Sequence, residues 1–173
     1  MISPDWCRMM AAYNSEMNRR IYAAAETLDD AVRRADRGAF WGSLHGTLSH
    51  LLWGDTLWMS RFDGWEKPPV GIKDSARMVE DWTALRQART AADARIEAWA
   101  GGLTPARLAA PLTWFSAVAQ RETTLPLWIC VAHFFNHQTH HRGQAHALIT
   151  AAGARTEDTD LPWVVDPVAL GLA

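Results

Sequence analysis

Cysteine is scarce in this 173-residue chain, which holds only Cys7 and Cys130. Two thiols that far apart do not read as a disulfide framework. An excess of charge of one sign is also missing. Seventeen Lys and Arg against nineteen Asp and Glu leave a formal charge of −2, and no basic footprint for nucleic acid or an anionic membrane surface. No apolar run approaches the length of a membrane span. The opening Met1-Ile-Ser-Pro-Asp-Trp6 has neither the basic n-region nor the apolar h-region of a signal peptide, so a cytoplasmic protein is expected. A glycine-rich phosphate loop and a Gly-x-Ser-x-Gly elbow are absent. So are His-Glu-x-x-His and Glu-x-x-His, which argues against a zincin protease and a carboxylate-bridged di-iron bundle. Without repeats, low-complexity segments or a long linker, residues 1–173 read as a single domain large enough for a sizeable core.

Aromatic and imidazole side chains are what the chain has instead. Ten tryptophans are many for this length, and suit the filling of a core and the lining of pockets. Of seven histidines, four fall within nine residues: His133-Phe-Phe-Asn-His137-Gln-Thr-His140-His141-Arg-Gly-Gln144. On a helix, His137 and His141 lie one turn apart and about 40° from each other, and His133 and Gln144 flank them. His140 lies about 60° from His137. Imidazoles at i and i+4 can close on one metal ion, but two ligands seldom hold a metal alone.

The remaining pattern is helical. A first long helix opens at Ser3-Pro4-Asp5, an N-cap followed by proline, and runs with Trp6, Met9, Met10, Tyr13, Met17, Ile21 and Ala24 as its apolar stripe. Asn14 and Asn18 stand beside that stripe, as partners of a neighbouring segment or as a solvated edge. Thr27-Leu-Asp-Asp reads as a cap for a short helix ending at Arg33 or Arg34. A second long helix spans about Ser43 to Arg61. There His50 sits at the margin of the apolar face, a place that suits a ligand and equally an ordinary half-buried histidine. His45 points well away from it.

Asp55 falls on the apolar side of the second helix, and Arg142 on that of the last. A carboxylate on a core face is costly unless paired, so a buried Asp55–Arg142 ion pair is expected. The alternative is that Asp55 reaches solvent through helix curvature. A third helix is expected over roughly 75–100 behind an Asp74-Ser75 cap. It carries Met78, Trp82, Leu85, Ala92, Ile96 and Trp99 as a bundle seam and a charged, solvated outer face. Gly101-Gly102 stops it. From Leu103 to Pro126 the pattern is irregular, with Leu112-Thr-Trp-Phe as one arm of a hairpin. The fourth long helix begins near Pro126 and ends at about Ala152, and the tail from Glu157 folds back over the helices. Cys130 reads as a core thiol.

These blocks resemble the DinB/YfiT-like family of damage-inducible, metal-binding four-helix proteins. The resemblance is carried by Tyr13-Asn14 with Asn18, by the stretch from Asp36 through His45, His50, Asp55 and Trp58 to Phe62, by the His133–Gln144 block, and by the late Asp160-Leu-Pro. It implies an all-α four-helix bundle with an irregular segment between the third and fourth long helices. It also implies a divalent ion on His50, His137 and His141. Three imidazoles leave a position for water or substrate, and suit zinc, nickel or iron, with copper also allowed by the ligand type. Gln144, His133 and His140 could orient ligands or substrate around them, or simply pack or face solvent.

The resemblance further implies one of two functions. The first is a metal-dependent enzyme of small molecules, resembling transferases or isomerases that use low-molecular-weight thiols, in which a metal-activated thiolate or water is the nucleophile. The second is a non-catalytic metal- or ligand-binding protein of the stress response. No general base is evident beside the histidines, which weakens a hydrolase that needs one. Homodimers are common among the relatives, and the residues themselves neither support nor oppose pairing.

Overall fold

The computed structural model describes residues 1–117 and 119–172. Four long helices carry it: α1 (Pro4–Glu26), α3 (Leu44–Phe62), α4 (Trp82–Gly101) and α6 (Leu127–Ala151). Short helices α2 (Asp30–Arg34), α5 (Pro105–Ala109) and α7 (Leu161–Val164) lie between and after them. α1 packs on α4 and α6, and α3 packs on the same two helices, so each long helix has two long neighbours. The segment expected to be irregular contains an antiparallel hairpin. Its strand β1 (Pro111–Ser116) pairs with β2 (Arg121–Pro126) from Pro111↔Pro126 to Ser116↔Arg121. The fold is therefore mostly helical with a small sheet. No helix among the described residues is long and apolar enough to cross a membrane.

The helix starts follow from side chains that satisfy otherwise unpaired backbone N–H groups. Ser3 Oγ accepts from Trp6 N–H at 3.1 Å, and Ser43 Oγ from Gly46 N–H at 3.0 Å. The third long helix starts later than its sequence pattern suggests. Asp81 is the cap, accepting from Ala84 N–H at 2.7 Å, whereas Asp74 and Ser75 fall inside a 3-10 helix over Ile72–Arg77. Ser75 is unavailable as a cap because its hydroxyl donates to Ile72 C=O at 2.7 Å. Thr27 likewise ends α1, donating to Ala24 C=O at 2.8 Å, and Asp29 precedes α2. The tail lies against α1: Tyr13 Oη donates to Thr159 C=O at 2.6 Å and Arg20 Nη1 to Asp158 C=O at 2.9 Å.

The core contains a buried polar layer that all four long helices enter. Asp55 and Arg142 both point inward, but they do not form the expected pair. Asp55 Oδ2, fully buried, accepts from Arg89 Nη1 of α4 at 2.6 Å. Arg89 Nη2 also stands 2.8 Å from Asp93 Oδ1. Asn14 and Asn18 donate to the same Asp93 oxygen at 3.1 and 2.9 Å, and Arg142 donates to Asn14 Oδ1. Both asparagines thus serve a neighbouring helix, not a solvated edge.

The reason lies in α4. Arg89 occupies the seam position between Leu85 and Ala92, so it reaches Asp55 from the core side while Arg142 turns toward α1. The face of α4 read as solvated therefore surrenders two of its charges to the interior. Burial raises the Asp55 pKa, an effect the Arg89 cation opposes. Burial also pushes Asp93 up to about 6, again against Arg89 and the Asn18 hydrogen bond.

Removing one partner of a buried ion pair is far more costly than removing a neutral hydrogen bond. Arg89→Met strands two carboxylates and is expected to cost about 3–5 kcal/mol in urea unfolding. Arg142→Met strands one amide oxygen and is expected to cost about 1–3 kcal/mol. The opposite order of the two costs would show that Asp55 relies on Arg142.

Candidate metal centre

His50 lies on α3, and His137 and His141 on α6, where the two helices pack together. One nitrogen from each ring lies within 4.8 Å of the other two. The ring centroids of His137 and His141 are 4.4 Å apart, and those of His50 and His141 are 4.7 Å apart. His50 and His141 are buried and His137 is half-buried. The margin position of His50 is thus enclosed once the neighbouring elements close over it.

Two of the rings have their tautomers set by their neighbours. His50 Nδ1 is 2.8 Å from Ser75 Oγ. The single hydroxyl proton of Ser75 goes to Ile72 C=O. Ser75 must then accept from His50 Nδ1–H, which places the His50 lone pair on Nε2. His141 Nδ1–H donates to Gln144 Oε1 at 2.8 Å, which likewise places its lone pair on Nε2. Such contacts fix ring orientation in metal sites. The third ring differs: His137 Nδ1 is buried and has no hydrogen-bond partner. A buried imidazole nitrogen without a partner is costly in a purely structural role, and it fits a ring that offers a ligand atom. Three neutral imidazoles with these constraints fit a divalent ion such as zinc, nickel or iron.

The surroundings are mostly aromatic. Trp41 stacks on His50 at 3.7 Å between centroids, and Trp53 lies near-parallel to the same imidazole at 5.6 Å. Two helical glycines make the cluster possible. A Cβ at Gly54 would meet His137 Cε1 at 2.6 Å, and one at Gly46 would meet the Trp41 carbonyl at 2.5 Å. Gly54 therefore admits the imidazole, and Gly46 lets the Trp41 segment close on α3.

The other singled-out residues are placed as follows. Gln144 bridges His141 to His140, its amide N–H₂ donating to His140 Nε2 at 3.1 Å. His140 is exposed, with its ring 4.9 Å from His141. His133 is exposed too, 5.9 Å from His137 and edge-on to Trp58 at 5.2 Å. His45 stays outside the cluster, hydrogen-bonded through Nε2 to Val79 C=O at 2.8 Å. Asp55 and Arg142 belong to the polar layer described above. Sequence reasoning overlooked Ser75, Trp41 and Gly54 as parts of the site. Of these only Gly54, an interior helical glycine with no turn to make, carried a usable signal.

Burial, with the other two rings, holds His50 down to about 3, and burial with His141 and the flanking imidazoles does the same for His137. His141 is lowered by burial, partly restored by Gln144.

The model of the DinB family matches residues 4–168 of the chain. No curated protein and no solved structure matches it.

Two outcomes follow from this geometry. Gly54→Ala forces the His137 ring to move, and zinc affinity measured by calorimetry should fall at least roughly tenfold while helical circular dichroism is retained. Without metal, the depressed imidazoles make stability depend on pH. Their folded pKa lies below the unfolded value, so the stabilisation is complete above about 6.5 and is lost as the unfolded chain takes up protons below it. In EDTA, unfolding free energy should fall between pH 6.5 and 5, and the slope should flatten in His50→Phe by up to about 1.4 kcal/mol per pH unit.

Proposed function

The chain belongs to the DinB family, and from that premise we propose that it binds a divalent metal through His50, His137 and His141 and uses it in small-molecule chemistry. The reaction proposed is attack of a low-molecular-weight thiol, or of water, on a small electrophile. The observation that carries the reading is the convergence of three imidazoles, two of them tautomerically fixed, within 4.8 Å. The four long helices are read as the four-helix bundle of that family. The ion supplies Lewis acidity, which lowers the pKa of a thiol or water beside it.

The chain's own residues supply the rest. Ser75 and Gln144 hold His50 and His141 in the ligand tautomer. Trp41 and Trp53 cover His50 and keep solvent from that side. The cluster contains no carboxylate, because Asp55, the nearest acid in sequence, is committed to Arg89. A thiol needs no carboxylate base once its pKa is lowered, which favours thiol transfer over hydrolysis. The same observation leaves a second reading, a non-catalytic metal- or ligand-binding protein of the stress response.

One experiment separates the two. The protein is loaded with zinc, nickel or iron and assayed for conjugation of thiols, mycothiol and bacillithiol included, to 1-chloro-2,4-dinitrobenzene. There a sulfur–carbon bond forms, chloride leaves with its electron pair, and the thiol proton passes to solvent. Turnover that falls roughly 100-fold or more in His141→Ala is expected for the enzyme. Stoichiometric metal with no turnover for any thiol decides for binding alone.

A further inference from the structure

The α3–α6 edge continues beyond the histidines. On α3, positions 50, 54, 58 and 61 lie within about 80° of one another on one helical face. α6 runs antiparallel beside it, so His137 meets Gly54 and, one turn further, His133 meets Trp58. At that level the hairpin brings in Trp114, edge-on to Trp58 at 5.7 Å. The Arg61 guanidinium lies over both indoles, 4.5 Å from the Trp58 ring and 5.5 Å from the Trp114 ring. Trp58, Trp114 and Arg61 are all half-buried, and His133 is exposed. They form a shelf open to solvent that begins beside His137.

Arg61 is a cation without an anion. Among the described residues no carboxylate lies within 4 Å of it. Burial beside the aromatic rings pulls its pKa below the ordinary arginine value, which reflects a partly desolvated charge. Guanidinium groups stack on aromatic faces while their N–H fork stays free for a planar anion. The two indoles meet edge-on, and Phe62 stacks on Trp58 at 5.5 Å, so beside that fork they form an apolar corner of the kind that takes aromatic or conjugated ligands.

We infer that this shelf holds the electrophilic substrate of the histidine centre, a small planar molecule that is aromatic or conjugated and carries one carboxylate. Its flat body sits in the corner between Trp114 and Trp58, its carboxylate meets Arg61, and its reactive end points toward His137. One helical turn separates Trp58 from Gly54, so the anionic and reacting ends stand about 6–10 Å apart. The inference rests on the reading of the three histidines as a metal centre for its reactive end, but its anion anchor stands independently of any ion.

The test is a pair of probes, trans-cinnamate and the neutral trans-cinnamamide, titrated into the full-length protein by calorimetry and tryptophan fluorescence, once in EDTA and once with zinc. Cinnamate is expected to bind in EDTA at least tenfold more tightly than the amide. Arg61→Gln should abolish that preference with zinc affinity unchanged, and Trp114→Ala, on the hairpin, should weaken both probes while helical circular dichroism is retained. Equal affinity for acid and amide overturns the shelf, as does cinnamate binding untouched by Arg61→Gln, or no binding in either condition. Cinnamate binding that requires zinc and ignores Arg61 means that its carboxylate meets the ion directly, which overturns the anchor and keeps the metal reading. Arg61-dependent binding in a protein that fails to take up zinc does the reverse.

Discussion

Arg89 is the interaction on which the rest of the structure depends. It is a fully desolvated cation placed between Asp55 of α3 and Asp93 of its own helix, and Asp93 in turn receives both asparagines of α1. Through Asn14 the layer reaches Arg142 of α6. Two acids and two arginines leave it formally neutral, so its cost is desolvation alone and its value lies in register. A helix displaced by one turn would leave an uncompensated charge in the core, which is far worse than a poor apolar contact. The candidate metal centre inherits that register directly. Gly54, which admits His137, precedes Asp55, and His141 precedes Arg142. The contacts that fix the polar layer therefore also fix which turn of α3 faces which turn of α6.

How much of this was legible in the sequence depended on whether a single helix contained the information. The cap at Ser3 is local and legible, and the start of the second long helix at Ser43 is legible too, though not as a cap. The inward turn of Asp55 and Arg142 is a property of each helix taken alone, and both are buried. Their partners were not readable, because an angle on one helix does not say which of two neighbouring helices comes first. The signal that existed was the seam of α4, where the spacing from Leu85 to Ala92 needs a residue at 89 and finds an arginine. That residue was assigned to the solvated face because charge on a helix usually means solvent. Asp74-Ser75 misled for a related reason: a serine that looks like a cap has its hydroxyl occupied by Ile72 and His50.

The candidate centre divides the same way. The His137–His141 pair follows from helical periodicity, whereas His50 came from resemblance, since its position at the margin of α3 allowed two readings. Ser75 and Trp41 come from segments 25 and 9 residues away from His50, a short 3-10 helix and a turn whose course no long-range periodicity describes. Ser75 sets the tautomer, and the Trp41 ring at 3.7 Å removes solvent from one face of His50.

The absence of a carboxylate from the histidine cluster has an electrostatic consequence. An ion held only by neutral imidazoles keeps both of its positive charges, whereas each carboxylate ligand would cancel one. Beside the Trp41 and Trp53 rings that flank His50, that field is weakly screened. A centre of this kind favours an incoming anion over a neutral ligand and lowers the pKa of an acidic group at it more strongly than a mixed histidine–carboxylate set would. Of the acids that might have moderated it, α3 and α6 carry only Asp55, which is locked to Arg89. The polar layer thus shapes the centre twice, by fixing its register and by withholding its nearest carboxylate. A divalent ion on these residues would therefore be held by neutral imidazoles beside aromatic rings, in a partly enclosed site whose field favours an anion from solution.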